Sequence, residues 1–216
     1  MLNLRPARRP GRRRCRARGQ ALVEFALVFP IFIIMMMGFI EFAFMFNALL
    51  SAEHASRDSA LIAAEAGNAS YADCKILQAV EADMTAPVRP AQIQQVQIYS
   101  TDAYGNYLDT SGNITTSGAL NQAVDTYTRT GSTSCQMPDR STLTVPYSLL
   151  GALNYDPATR CSVVAGCPDA THPLDTIAVK ITYLHTWVTP LANLLNLTGS
   201  GVTMVQSYAA RMEPVL

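Results

Sequence analysis

The chain has 216 residues and a formal net charge of zero, a length that suits one domain with an appendage. The zero conceals a segregation: residues 1–19 carry eight arginines and no acid, while all 16 acidic residues follow with the other eight cations. No aromatic or zinc module accompanies the arginines, which argues against nucleic-acid binding, so the basic leader has a task different from that of the acidic body.

Phe25 to Ile40 holds no charged residue and is bracketed by Glu24 and Glu41. Sixteen helical residues cover roughly 24 Å at about 1.5 Å each, short of a bilayer core of about 30 Å. The apolar flanks Ala21–Val23 and Phe42–Phe46 make up the difference, and one transmembrane helix is predicted. Eight arginines precede it, and Arg57 is the first basic residue after it. Cations concentrate on the cytoplasmic side of a span, so the N-terminus is expected inside and the body outside. A secretory signal peptide has a similar start, but this run is longer and no small-x-small cleavage site closes it directly. Pro30 predicts a modest kink of a kind membrane helices tolerate. Met35, Met36 and Met37 suit lipid contact and adaptable packing.

Glu24 stands at the mouth of the apolar run, where a carboxyl is expensive and needs a partner. Its surroundings read Arg18-Gly-Gln-Ala-Leu-Val-Glu-Phe25. This resembles the processing site of type IV prepilins and pseudopilins, in which a basic leader ends in glycine and glutamate is fifth in the mature chain. The resemblance implies cleavage between Gly19 and Gln20, retention of the helix, and a new α-amino group that is charged at neutral pH. In the family that amine is thought to pair with the glutamate of an adjacent subunit, which assigns Glu24, with Phe25 beside it, to assembly. The longer stretch Arg18–Pro30 and the continuation Gly38-Phe-Ile-Glu-Phe42 are similar to TadE-like proteins, minor pseudopilins of the tight-adherence (Flp) type IV pilus. The likeness is strong over 17–45, weaker over 177–213 and absent between them. It implies a single-pass protein of the bacterial inner membrane that takes part in pilus assembly. The implied partners are a prepilin peptidase, other pilins and pseudopilins, the inner-membrane assembly platform and the lipid bilayer. The middle, residues 70–175, is longer and richer in cysteine than a minimal TadE-like chain, so a TadF-like or TadG-like relative stays open.

Beyond the membrane the helix is expected to continue as a stem to about Ala66, with Gly67-Asn68 as its stop. Ala48, Ala52, Ala55, Ser59, Ile62 and Ala66 recur at steps of four and three, one stripe of mostly small side chains. It suits packing on the protein's own ectodomain or against neighbouring stems. Glu41 is placed near the outer headgroups or against another helix.

The remainder reads as α+β, with a small antiparallel sheet packed on the stem. Gln92–Ser100 is a half-exposed strand, Tyr104–Tyr107 a turn, and Ser141–Tyr147 a strand that Pro146 confines to an edge or an end. Ile177, Val179, Ile181 and Tyr183 alternate as the best strand of the chain. Pro190–Leu195 is a short turn or helix, and Val202–Arg211 a closing strand. Ser, Thr, Gly and Asn between residues 100 and 135 suggest long surface loops. Four segments follow: 1–19 leader, 20–46 span, 47–67 stem and 68–216 ectodomain.

Cys15 lies in the leader and departs if cleavage occurs. Cys74, Cys135, Cys161 and Cys167 remain, an even number outside the cytoplasm, which suggests two disulfides. Of three connectivities, Cys74–Cys135 with Cys161–Cys167 is favoured on local loop grounds. A metal site of Cys161, Cys167 and His172 lacks zinc-type spacing. His54, His172 and His185 stand alone, and no phosphate loop or nucleophile elbow occurs. No enzyme activity, cofactor or metal is expected. The rival to a pseudopilin is an uncleaved membrane-tethered module that binds a ligand or envelope partner.

Overall fold

The computed structural model describes residues 16–86, 88–119, 121–162, 165–167, 173–194 and 199–212, with side chains from Gly19 onward. The leader through residue 15, including Cys15, and the candidate ligand His172 lie outside them.

A single helix, α1 (Arg16–Ala66), dominates the molecule. Its 51 residues extend about 76 Å at about 1.5 Å each, and the helix runs unbroken through Pro30. Gly67 ends it in the left-handed region at φ +56°, its N–H bonded to the Ala63 carbonyl. Only glycine enters that conformation without a steric penalty. A Cβ there would also stand 3.0 Å from Ser162 Oγ.

A second helix, α2 (Ala72–Asp83), not expected from the sequence, turns back against α1. The main sheet has five antiparallel strands in the order β5-β2-β1-β6-β7. These are β1 (Ile93–Thr101), β2 (Val124–Thr128), β5 (Ser148–Leu149), β6 (Thr176–Thr186) and β7 (Gly201–Arg211). The predicted strands at 92–100, 177–183 and 202–211 are β1, β6 and β7. Residues 102–119 are irregular and largely exposed, as expected of surface loops, but beyond them β2 crosses the 100–135 stretch as an interior strand of the sheet. The Ser141–Tyr147 candidate is shorter than expected. Its core, β4 (Thr142–Val145), leaves the main sheet and pairs with β3 (Thr133–Gln136) in a two-stranded ribbon, and Pro146 falls just past its end.

The stem packs along β6 and β7 and against α2. Ala48, Ala52, Ala55 and Ser59 are fully buried against the protein's own domain, with Ala60 and Ala63 beside them. Side chains this small let the helix lie close to the sheet, where Ile177, Val179, Ile181 and Tyr183 of β6 are also fully buried. Of the two readings of the stripe, packing on the chain's own domain is the arrangement found for Ala48 through Ser59, while Ile62 and Ala66 are half-buried. Two disulfides fasten the periphery. Cys74–Cys135 ties α2 to β3, and Cys161–Cys167 closes a short loop.

Candidate functional site

Gly19, Gln20, Glu24 and Phe25 all lie on α1 and all are exposed. They belong to a bare section, Gly19 to Met36, in which every residue is exposed and the ectodomain covers none. Among its side chains are Leu22, Leu27, Ile31 and Phe32, each more than half exposed. Phe25 meets only its own helix there, with the Phe29 ring 5.1 Å away. A Cβ added at Gly19 would meet no neighbouring atom. Such a surface is stable only in lipid or against other apolar helices.

Cover begins at Met37 and Gly38, where a Cβ on Gly38 would lie 3.9 Å from Leu191 of the short helix α3 (Leu191–Leu194). One turn further on, Glu41 is buried at 4% exposure. Its carboxylate accepts the Val188 N–H at 3.0 Å and the Thr189 N–H at 2.8 Å. His185 Nε2 is 3.1 Å from Oε1. This corrects the reading of His185 as solitary and gives Glu41 a partner within its own chain. The fold makes the meeting inevitable. His185 continues the buried row Ile177, Val179, Ile181, Tyr183 by one more step of two. Glu41 and Gly38 continue the stem stripe backwards from Ala48 through Met45 by steps of three, four and three. The two rows converge at the end of the sheet nearest the bare section of α1. Gly201, at the start of β7, lets that strand lie close to β6 there, because a Cβ on it would collide with the His185 carbonyl.

A second polar cluster lies deeper. The Arg160 guanidinium is buried between Asp73 Oδ1 at 2.6 Å and Asp125 Oδ2 at 3.7 Å and lies over the Tyr155 ring. Tyr127 donates to Asp73 Oδ2 at 2.8 Å, and Asp125 Oδ1 accepts the N–H groups of Asn154 and Tyr155. Burial pushes the Asp125 carboxyl up to about 6, against the hydrogen bond from the Tyr155 amide, which lowers it. Arg160 and Asp125 have almost no solvent contact, so the cluster joins α2, β2 and the 155–160 loop and offers no group to a substrate. Cys161 and Cys167 are spent on each other in a disulfide, which removes them as metal ligands. Among the described residues no group of three or more His, Cys, Asp or Glu is placed to hold a metal.

Residues 19–61 match the family described as TadE-like protein. The match takes in the whole bare section of α1, Glu41 and most of the stem, and stops before α2 and the sheet, the latter holding His185, the partner of Glu41. No curated protein and no solved structure matches the chain.

Proposed function

We propose that this chain, TadE-like over residues 19–61, is a minor pseudopilin: a non-enzymatic component in assembly of a tight-adherence pilus, anchored in the bacterial inner membrane. The observation that carries the reading is the bare half of α1. Between Gly19 and Met36 the helix is apolar and uncovered on all sides, and its one acid there, Glu24, stands five residues into the chain that cleavage after Gly19 would leave. A lone transmembrane anchor has no use for a carboxylate inside its apolar mouth, whereas a helix that packs among others does, because the amine of a neighbour's Gln20 satisfies it. The amine and the carboxylate would set the axial register between subunits. The reading makes prepilin peptidase, other pilins and the assembly platform its partners.

The test is the N-terminus of the protein from native membranes, measured by intact mass, together with Glu24→Ala. A start at Gln20, with normal membrane insertion but failed assembly of the variant, is the expected outcome. A start at Met1 with an indifferent Glu24→Ala variant would overturn the reading and leave an uncleaved tethered module. A start beyond Ala48 would mean a secreted domain released from a signal peptide.

A further inference from the structure

The domain's grip on α1 runs along the stem and begins already inside the apolar run, at Met37 and Gly38. Counted from Phe25, a bilayer core of about 30 Å takes about 20 helical residues and ends near Phe44. Gly38 and Glu41 then lie roughly 9 Å and 5 Å inside the outer boundary. The segment fastened to them, Trp187–Leu194, must lie at the same depth. Its composition fits that depth. No charged residue occurs between His185 and Arg211, and Val188 and Leu194 are 58% and 57% exposed. Irregular backbone survives at membrane depth only where its polar groups are satisfied by protein. Here Glu41 takes the N–H groups of both Val188 and Thr189, and their dipoles with His185 compensate its charge. Immediately outward, a cavity of about 370 Å³ is bounded by Phe44, Ala48, Trp187 and Arg89. Arg89 is exposed, a cation where lipid phosphates would lie.

We propose that the Trp187–Leu194 loop is a second membrane contact, seated in the outer leaflet beside α1 with Arg89 at the phosphate level. The occupant of this surface is the bilayer, argued from its continuity with the bare apolar face of α1. The inference rests on the reading of α1 as a span. It makes Glu41 the residue that carries a loop of the ectodomain into lipid, fixing the height and tilt of the whole domain over the membrane.

Trp187 is the only tryptophan in the chain and reports on the loop directly. The full-length protein is reconstituted into phosphatidylcholine–phosphatidylglycerol vesicles whose acyl chains are brominated either near the headgroup or near the chain end, and is first floated with them. The expected result is flotation, blue-shifted emission, and quenching by the shallow bromines at least about twofold stronger than by the deep ones, as interfacial tryptophans require. Val188→Asp with Leu194→Asp, both at exposed positions, should lift that quenching while both disulfides remain formed. Flotation with no bromine quenching but free quenching by iodide would place the loop in water and overturn the proposal. Flotation with protection from bromine and iodide alike would mean that protein, either the chain's own fold or a second copy, covers Trp187 in place of lipid, which also overturns it. Failure to float would sink the membrane reading of α1 itself.

Discussion

At the residue scale the ectodomain is organised around Arg160. A guanidinium with no access to water must be compensated, and Asp73 and Asp125 compensate it. Arg160→Met removes the cation and strands two buried acids. An expected loss of about 3–5 kcal/mol is checked by urea unfolding of the full chain in detergent. The same cluster sets a pH dependence. Asp125 titrates at about 6 in the folded protein and near 4 in an unfolded chain. The folded form therefore binds the proton more tightly. This contribution to stability is fully present below about pH 4 and is lost as the pH rises through about 6. Asp125→Asn abolishes it, so wild type should gain on the variant as the pH falls from 7 to 4, by up to about 3 kcal/mol. Paired unfolding curves at the two pH values measure the change. An unchanged difference would mean that Asp125 is ionised throughout. None of this was legible in the sequence, because Asp73, Asp125 and Arg160 are far apart in the chain and carry no motif. The role proposed for Glu24 rests instead on a local pattern, a carboxyl at a fixed step from a glycine and an apolar run. Glu41 was half legible. Stepping the alanine stripe back through Met45 reaches it, and stepping the β6 alternation forward reaches His185, but each pattern was broken off at its last apolar member.

At the element scale the sequence spoke clearly wherever periodicity was long. The stem ends at the glycine expected of it, and β6 is the clean alternation Ile177–Tyr183 extended at both ends. What failed was short or polar. Val124–Thr128 reads as loop by composition, yet Asp125 and Tyr127 point inward to the Arg160 cluster while β1 and β5 pair with its edges. Its strand character comes from tertiary partners and not from propensity. The disulfides add the constraint that such weak elements need. Cys74–Cys135 spans a sequence separation of 61 and Cys161–Cys167 one of 6. Chain-entropy arguments assign roughly 4 kcal/mol to the longer loop and about 2 kcal/mol to the shorter. Replacing the first pair by alanine should therefore lower the unfolding midpoint more than replacing the second, and should loosen α2 against the β3–β4 ribbon. Denaturant titration with amide exchange on α2 would register both. Equal losses from the two pairs would argue that local packing, and not loop closure, decides.

At the scale of the whole molecule, α1 does two jobs along one axis. Its first half is bare and its second half is the spine of the ectodomain, with Glu41 and Gly38 at the junction. The stem is therefore no spacer. Removing it uncovers the row Ile177, Val179, Ile181, Tyr183 on β6, and burial of such side chains is worth about 1.5–3 kcal/mol apiece. Two truncations separate the jobs. A chain beginning at Asn47 keeps Ala48, Ala52, Ala55, Ala60 and Ala63 in the core and should fold without detergent. Having lost Glu41, its Val188 and Thr189 amides should exchange about tenfold faster or more, the cost of roughly 1.4 kcal/mol or greater for orphaned donors. A chain beginning at Gly67 lacks the spine and should show no cooperative transition, only aggregation through the uncovered sheet. If the Gly67 chain instead melted cooperatively at the same temperature as the Asn47 chain, the helix would be a detachable tether. The position of the sheet domain relative to the bare section of α1 would then have to be set by something other than the path from Glu41 to β6.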